Sequence, residues 1–169
     1  TSAELVFDQG LGDIFSCRIA GNILNDDILG SMEFACKVAG AKAVVVLGHS
    51  RCGAIKGACD GVRLGNLSTL LQKVEDAIAM ETETLDNRTS ANAAFVERVA
   101  ELNVMLVKEQ IMERSPLLAE MVRNSEIALV GGMYARASVI GCGHCAPTSW
   151  CMSRAGCTSA SAARSATRS

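Results

Sequence analysis

The stretch that decides the fold is VVVLGHSRCGAIKGA, residues 44–58. The run Ala43–Leu47 is apolar, largely β-branched and without alternation, which predicts a parallel strand covered on both faces. Gly48 to Gly53 is typical of a turn, and Ala54–Ala58 of the beginning of a helix. A turn between a parallel strand and a helix lies at the carboxyl edge of the sheet, where open α/β sheets bind their ligands.

On both sides of this stretch, apolar strands alternate with helical patterns, which predicts an α/β fold with a mostly parallel β-sheet flanked by helices. Two further strands are predicted: Ile14–Ala20, closed by Gly21-Asn22, and Ile127–Val130, stopped by Gly131-Gly132. Four helices are predicted. The first is capped by Asp26 or Asp27 and ended by Gly40, and the second is capped by Asn66 or Ser68 and runs to Met80. The third covers Ser90–Arg114 with an apolar stripe (Phe95, Val99, Leu102, Leu106), and the fourth begins at Ser115-Pro116.

Composition restricts the class of protein. The chain of 169 residues is 49% hydrophobic and 20% charged, which is typical of a soluble globular domain. A net charge of -2 and an aromatic content of 4% argue against nucleic-acid binding. No apolar run is long enough to span a membrane, and no signal-peptide pattern is present. We therefore predict a cytoplasmic protein, where its eight cysteines are more often thiols or metal ligands than disulfides.

The balance of charge changes sharply near residue 134. Residues 135–169 contain four arginines and no Asp, Glu or Lys, and all 18 acidic residues precede them. This Ser- and Ala-rich segment has no hydrophobic period, so we predict a folded domain over 1–134 and an anomalous, poorly ordered tail over 135–169. Within the tail, Cys142 and Cys145 flank His144 closely, and a zinc half-site or a redox pair stays open there.

His49 and Cys52 are the candidate metal ligands of the deciding stretch. A turn allows positions i and i+3 to face one centre, and an imidazole nitrogen with a thiolate sulfur suits Zn²⁺. Two donors are only half of a zinc set, and an isolated His-x-x-Cys is more often a hydrogen-bonded histidine beside a small buried thiol. Nucleotide motifs fit less well, because Ala54 stands where a P-loop needs Lys and Phe15 replaces the third glycine of a dinucleotide-binding pattern.

Taken together, several stretches resemble the β-class carbonic anhydrases. VVVLGHSRCGA is similar to that family's second metal motif, AELVFDQGLGDIFSCRIAGN (3–22) to its GLGD…R-x-AGN region, LGSMEFA (29–35) to the following helix, and ALVGGMY (128–134) to a late strand. The resemblance covers nearly all of 1–134 and implies an incomplete β-carbonic anhydrase fold. The family's first zinc motif, Cys-x-Asp-Ser-Arg, occurs nowhere in the sequence, and its expected place falls immediately before Thr1.

The resemblance implies a zinc enzyme that reversibly hydrates CO2 to bicarbonate and a proton through zinc-bound hydroxide. It assigns His49 and Cys52 as two zinc ligands and implies a homodimer or a higher homo-oligomer. It assigns no catalytic residue in this chain, because the family's Asp–Arg pair belongs to the first motif. The alternatives are a non-catalytic zinc-binding or interaction module, a hydrolase of a CO2-like molecule such as COS or CS2, and a redox protein that uses Cys142 and Cys145.

Overall fold

The computed structural model describes residues 2–135. Its helices are α1 (Ala3–Phe7), α2 (Asp26–Lys37), α3 (Gly53–Cys59), α4 (Gly65–Gln72), α5 (Glu75–Met80), α6 (Ala93–Arg114) and α7 (Pro116–Arg123), with a 3-10 turn at Ala20–Asn22; its strands are β1 (Ala43–His49) and β2 (Ala128–Tyr134). The predictions for Cys142, His144 and Cys145 lie outside the described residues. The boundary predicted at residue 134 stays a prediction.

The two strands form a parallel sheet, which confirms the α/β class predicted from the sequence. Val44 pairs with Leu129, Gly48 with Met133, and His49 with Tyr134. Because the strands are parallel, the chain between them crosses over through five helices, α3 to α7. The longest of these, α6, packs against both strands and carries the core.

Three of the four residues of the apolar stripe predicted for α6 are buried, and Leu106 is partly buried. Phe95 and Val99 are 0% exposed, and they pack with Ile55 of α3 in a first core cluster that also contains Cys52. A second cluster joins α6 to β1, α2 and α7. One helix thus connects the core with the turn that follows β1.

Local capping signals predicted several helix ends correctly and missed others. Ser115 caps α7 through its Oγ, which accepts a hydrogen bond from the Leu118 N–H at 3.2 Å, and Pro116 opens the helix as predicted. The cap of α2 is Asn25, not Asp26 or Asp27, because the Asn25 carboxamide oxygen accepts from the Ile28 N–H at 2.8 Å.

Two other helix boundaries differ from the prediction. Helix α2 ends at Lys37, before Gly40. The helix predicted to run from Asn66 or Ser68 to Met80 begins at Gly65 and is divided into α4 and α5. Ser68 nevertheless acts locally, since its hydroxyl accepts from the Leu64 N–H at 2.8 Å.

The strand predicted at Ile14–Ala20 is wrong: the segment is largely exposed, its first six residues are neither helix nor strand, and Ala20 begins the 3-10 turn. A strand needs a neighbour for its backbone hydrogen bonds, and within residues 2–135 β1 and β2 pair only with each other. Phe15 instead lies against Phe34 of α2, with ring centroids 6.1 Å apart.

The Gly131-Gly132 stop predicted for the last strand is also wrong, because β2 continues to Tyr134. A side chain at Gly131 would place its Cβ 2.8 Å from Val104 Cγ1 and 2.8 Å from Lys108 Cδ, both on α6. Glycine here permits the close approach of α6 and β2. Within a strand, a glycine can mark such a close approach as well as a break in the strand.

The prediction that β1 is covered on both faces is not met within the described residues. Val44 and Val46 are buried, whereas Val45 between them is 40% exposed. The buried residues face α6 and the second core cluster. One helical layer therefore covers one face of β1. The apolar run correctly predicted a strand but not burial of both of its faces within the described residues.

A buried carboxylate organises the loop between α5 and α6. Glu81 accepts hydrogen bonds from the N–H groups of Glu83 and Thr84, each at 3.0 Å, and from Arg88 at 2.7 Å. Arg88 also lies over the Phe95 ring at 4.8 Å. Burial raises the pKa of Glu81, but the two N–H groups and Arg88 outweigh it and hold the pKa below its usual value.

We expect this loop to make stability dependent on acid. Because the folded-state pKa of Glu81 is lowered, its contribution is present above the unfolded pKa and is lost as the pH falls through the folded one. The free energy of unfolding, measured with urea between about pH 5 and pH 3, will fall less steeply in Glu81→Gln than in the parent protein. Glu75→Gln, which removes an exposed ion pair with Arg63, is the matched control. Equal slopes in all three proteins would contradict the expectation.

Candidate metal centre

Strand β1 delivers His49 to the carboxyl edge of the sheet. His49 is the last residue of the strand and its side chain is exposed. Immediately after it, the Ser50 N–H donates to the Tyr134 carbonyl oxygen at 3.0 Å. The turn therefore begins at a point that β2 holds in place.

The hydrogen bond of His49 identifies which ring nitrogen is free. Its Nδ1 lies 3.0 Å from the Ser50 carbonyl oxygen. A carbonyl oxygen only accepts, so in the neutral imidazole Nδ1 carries the proton and Nε2 keeps its lone pair. Metal-binding histidines commonly have this arrangement, in which a backbone carbonyl orients the ring and one nitrogen is left for the metal.

Arg51 reverses the chain between the two candidate ligands. Its φ of 56° is in the left-handed region, which costs a residue other than glycine about 1–2 kcal/mol. Cys52 follows in extended conformation as the N-cap of α3, and its carbonyl oxygen accepts from the Lys56 N–H at 3.0 Å. The structure thus places His49 and Cys52 on one tight turn, as the sequence predicted.

The two candidate ligands differ in their surroundings. Cys52 is 5% exposed and belongs to the first core cluster with Ile55 and Phe95, whereas the His49 side chain is open to solvent. The thiol is thereby restrained by packing, and the imidazole is restrained by its bond to Ser50.

Glu97 is a residue of this centre that sequence reasoning missed. Its carboxylate is partly buried. Burial and then repulsion by Glu101 raise the pKa of Glu97 above its usual value, and the Arg51 backbone N–H and the charges of His49 and Arg51 oppose that rise. No motif marks Glu97; its only sequence signal is an acidic residue directly after the buried Phe95-Val96 pair.

Glycines on either side of the turn have different roles. A Cβ at Gly48 would lie 2.6 Å from Met133 Sδ and 2.7 Å from Val104 Cγ2, so α6 and β2 leave no room for a side chain. A Cβ at Gly53 would meet nothing within 4 Å. Close packing therefore requires glycine at residue 48, and space alone does not require it at residue 53.

Comparison with known proteins identifies the family. The family model described as carbonic anhydrase matches residues 1–141. The chain belongs to the carbonic anhydrase family. Carbonic anhydrase 2 of Mycobacterium tuberculosis is 34% identical over 137 residues, which cover 79% of this chain and 63% of that protein. The carbonic anhydrase of Mycolicibacterium smegmatis is 32% identical over 133 residues, which cover 79% of this chain and 64% of that protein.

Solved structures show that the fold is that of the β-class carbonic anhydrases, as the resemblance implied. The β-carbonic anhydrase CcaA superposes with a TM-score of 0.68 at 22% identity, over 80% of this chain and 69% of its own. One of two tetrameric β-carbonic anhydrases from Sordaria macrospora gives 0.67 at 23% identity, over 85% and 76%. The chain spans less than two thirds of the length of the two mycobacterial relatives.

The zinc that the family implies finds only part of a binding site here. Within residues 2–135, no group of three or more His, Cys, Asp or Glu side chains is placed to hold a metal ion. Two further thiols among residues 2–135 are poorly suited to extend the pair: burial raises the pKa of Cys59 to about 11 and also raises that of Cys36, and a protonated thiol is a poor ligand. The described residues therefore offer two suitable donors and not a complete zinc site.

No helix between residues 2 and 135 is both long and apolar enough to cross a membrane.

Proposed function

We propose that the protein containing this chain reversibly hydrates CO2 to bicarbonate and a proton, and that His49 and Cys52 are two of its zinc ligands. The observation that carries the proposal is the His49–Cys52 turn, in which the Ser50 carbonyl occupies Nδ1 and leaves Nε2 free. This turn lies in a chain that belongs to the carbonic anhydrase family. Within residues 2–135 no observation of this kind favours the non-catalytic module, and the redox alternative rests on Cys142 and Cys145, which lie outside the described residues.

The described residues have defined tasks in this proposal. The Ser50 carbonyl orients the imidazole, the Tyr134 carbonyl anchors the turn to β2, and the first core cluster holds the Cys52 thiol. Zinc, when bound, supplies a Lewis acid that lowers the pKa of water toward neutrality. The donors that complete the zinc set lie outside residues 2–135 or in another subunit.

A homo-oligomer is part of the proposal, since two related enzymes of Sordaria macrospora are described as tetrameric. Size-exclusion chromatography with light scattering checks this directly, and a monomer would contradict it. The cytoplasmic location stays a prediction.

The test of the proposed function is zinc content combined with stopped-flow CO2 hydration, on protein expressed from the complete gene. We expect about one zinc per chain, as in catalytic zinc sites, and hydration well above the uncatalysed rate. Bound zinc without hydration would instead support the non-catalytic module. Bound zinc with hydrolysis of COS or CS2 alone would support the hydrolase. Protein with neither zinc nor activity would overturn the proposal.

A further inference from the structure

The 3-10 turn Ala20–Asn22 lies against the beginning of α3, the helix that follows Cys52. A Cβ at Gly21 would stand 3.2 Å from the Ala54 Cβ, which is closer than ordinary van der Waals contact. Ala54 belongs to the first turn of α3, two residues after Cys52. Ile23, directly after the 3-10 turn, is buried in the same core cluster as Cys52. The 3-10 turn is therefore continuous with the packing around the Cys52 thiol.

The backbone of this 3-10 turn is strained at Asn22. Gly21 and Asn22 have φ values of 71° and 41°, so two consecutive residues are in the left-handed region. Glycine adopts that region freely, whereas it is unfavourable for a residue with a Cβ. Such a residue persists in this conformation where the surrounding structure holds it. The 3-10 turn therefore depends on contacts from other elements.

Asn103 of α6 supplies such a contact. Its side chain is 0% exposed, and its Nδ2 donates to the Gly21 carbonyl oxygen at 2.8 Å. That oxygen belongs to the peptide group that joins Gly21 to Asn22, so the hydrogen bond restrains the left-handed pair directly.

The other end of the Asn103 carboxamide shows that the side chain does more than fill space. Its Oδ1 is buried without a hydrogen-bond partner among residues 2–135. Burying an unpaired oxygen costs free energy that an apolar side chain of the same size does not. The contribution that asparagine makes here is therefore the directed hydrogen bond to Gly21.

The same turn of α6 also restrains the other candidate ligand. Val104 follows Asn103, and its Cγ2 would lie 2.7 Å from a Cβ at Gly48, the residue before His49. Consecutive residues of one helix thus contact the strand end that carries His49 and the 3-10 turn that packs beside the beginning of α3. The separation of the two ligands depends on both contacts.

We propose that Asn103 is a positioning residue for the metal centre, whose carboxamide holds the Gly21–Asn22 peptide against α3 and so fixes the place of the Cys52 thiol. The inference rests on the proposed function, because it assumes that Cys52 binds the metal. Asn103 is not a ligand in this proposal. It acts on Cys52 through the 3-10 turn.

The first experiment tests this role without any metal. Zinc is removed with a chelator, and the rates at which iodoacetamide alkylates Cys52 and Cys36 are measured by peptide mass spectrometry. Cys36 is the internal reference, because it is as buried as Cys52, in the second core cluster, and global unfolding exposes both thiols. We expect Asn103→Leu, which keeps the size of the side chain and removes the donor, to raise the ratio of the Cys52 rate to the Cys36 rate about tenfold. A ratio equal to that of the parent protein overturns the proposal.

Two further variants guard this result. Asn103→Asp keeps the shape of the side chain and lacks the Nδ2 donor, so it gives the same test if Asn103→Leu does not fold, with the same expected rise. Val107→Ala, one helical turn further along α6, opens a cavity in the second core cluster and leaves Asn103 intact. The ratio should not rise in Val107→Ala. A rise there equal to that in Asn103→Leu would contradict the proposal, because loss of packing alone would then explain it.

The second experiment measures the consequence for metal binding. Co²⁺ is titrated into zinc-free protein expressed from the complete gene, and its thiolate charge-transfer absorption is followed, with Cys52→Ser as the reference for the contribution of that thiol. We expect Asn103→Leu to bind Co²⁺ about tenfold more weakly, the size of effect seen when residues that orient ligands are removed. Val107→Ala should bind Co²⁺ as the parent protein does.

Failure of the proposed function has a different signature. If Cys52→Ser leaves the Co²⁺ absorption unchanged, Cys52 is not a ligand, and the positioning role falls with it even where Asn103→Leu raises the alkylation of Cys52. If Cys52→Ser abolishes the absorption but Asn103→Leu binds Co²⁺ as the parent protein does, the ligand assignment stands and the positioning role alone is overturned.

Discussion

The Cys52→Ser protein is expected to lose its zinc and at least about 100-fold of its CO2 hydration activity, since removal of even an outer partner of a metal ligand costs 10- to 100-fold. Serine keeps the shape of the side chain but replaces a thiolate by a hydroxyl that stays protonated at neutral pH. Cys52 is buried in the first core cluster, which restrains its side chain by packing. Zinc content by mass spectrometry and stopped-flow hydration are the two measurements.

The chain offers a closely matched control in Cys59. Cys59 lies at the other end of the same short helix and is half-buried, and burial raises its pKa to about 11. A raised pKa favours the protonated thiol, which is a poor metal ligand, so we expect Cys59→Ser to keep both zinc and activity. Zinc retained by Cys52→Ser would show that the ligand assignment is wrong. Zinc lost from both variants would show that disturbing α3 is sufficient.

Gly48→Ala is expected to destabilise the fold by about 1–3 kcal/mol, the usual cost of overpacking a core. The added Cβ would stand 2.7 Å from Val104 Cγ2 and 2.6 Å from Met133 Sδ. Met133 is unbranched and can yield, but Val104 is β-branched, 4% exposed and held on α6. Relief therefore requires α6 to move away from β1, which also disturbs the end of the strand that carries His49.

Gly30→Ala is the control for this substitution. Gly30 lies inside α2, and a Cβ there would meet nothing within 4 Å. Alanine should stabilise that helix by about 0.5–1 kcal/mol, because glycine loses more backbone entropy on folding. Urea unfolding of both variants gives opposite signs if the packing at Gly48 is as the structure shows. A Gly48→Ala protein as stable as the parent would contradict it.

Features predicted correctly from the sequence depend on neighbours along the chain. The periodic stripe of α6, the Ser115-Pro116 helix start, and the strand–turn–helix around His49 and Cys52 are all visible within one or two helical turns of sequence. Hydrophobic period, capping and turn chemistry act over that range. The family resemblance added the assignment of the two ligands, which spacing alone left open.

Features predicted wrongly depend on what packs against a segment. Ile14–Ala20 has the composition of a strand, but within residues 2–135 it has no strand beside it. Gly131-Gly132 resembles a stop signal, yet there it is the contact surface for Val104 and Lys108. The same residue types have opposite meanings in these cases, and the neighbouring element decides between them.

For this protein the sequence by itself determined that a parallel strand ends in a turn bearing His49 and Cys52, and that α6 supplies a buried stripe. Only the tertiary structure decided that α6 lies close enough to β1 for Gly48 to have no room for a side chain. The physical reason is distance along the chain. Turn and helix follow from local backbone preferences, whereas the close approach of a helix to the end of a strand depends on how the whole core packs.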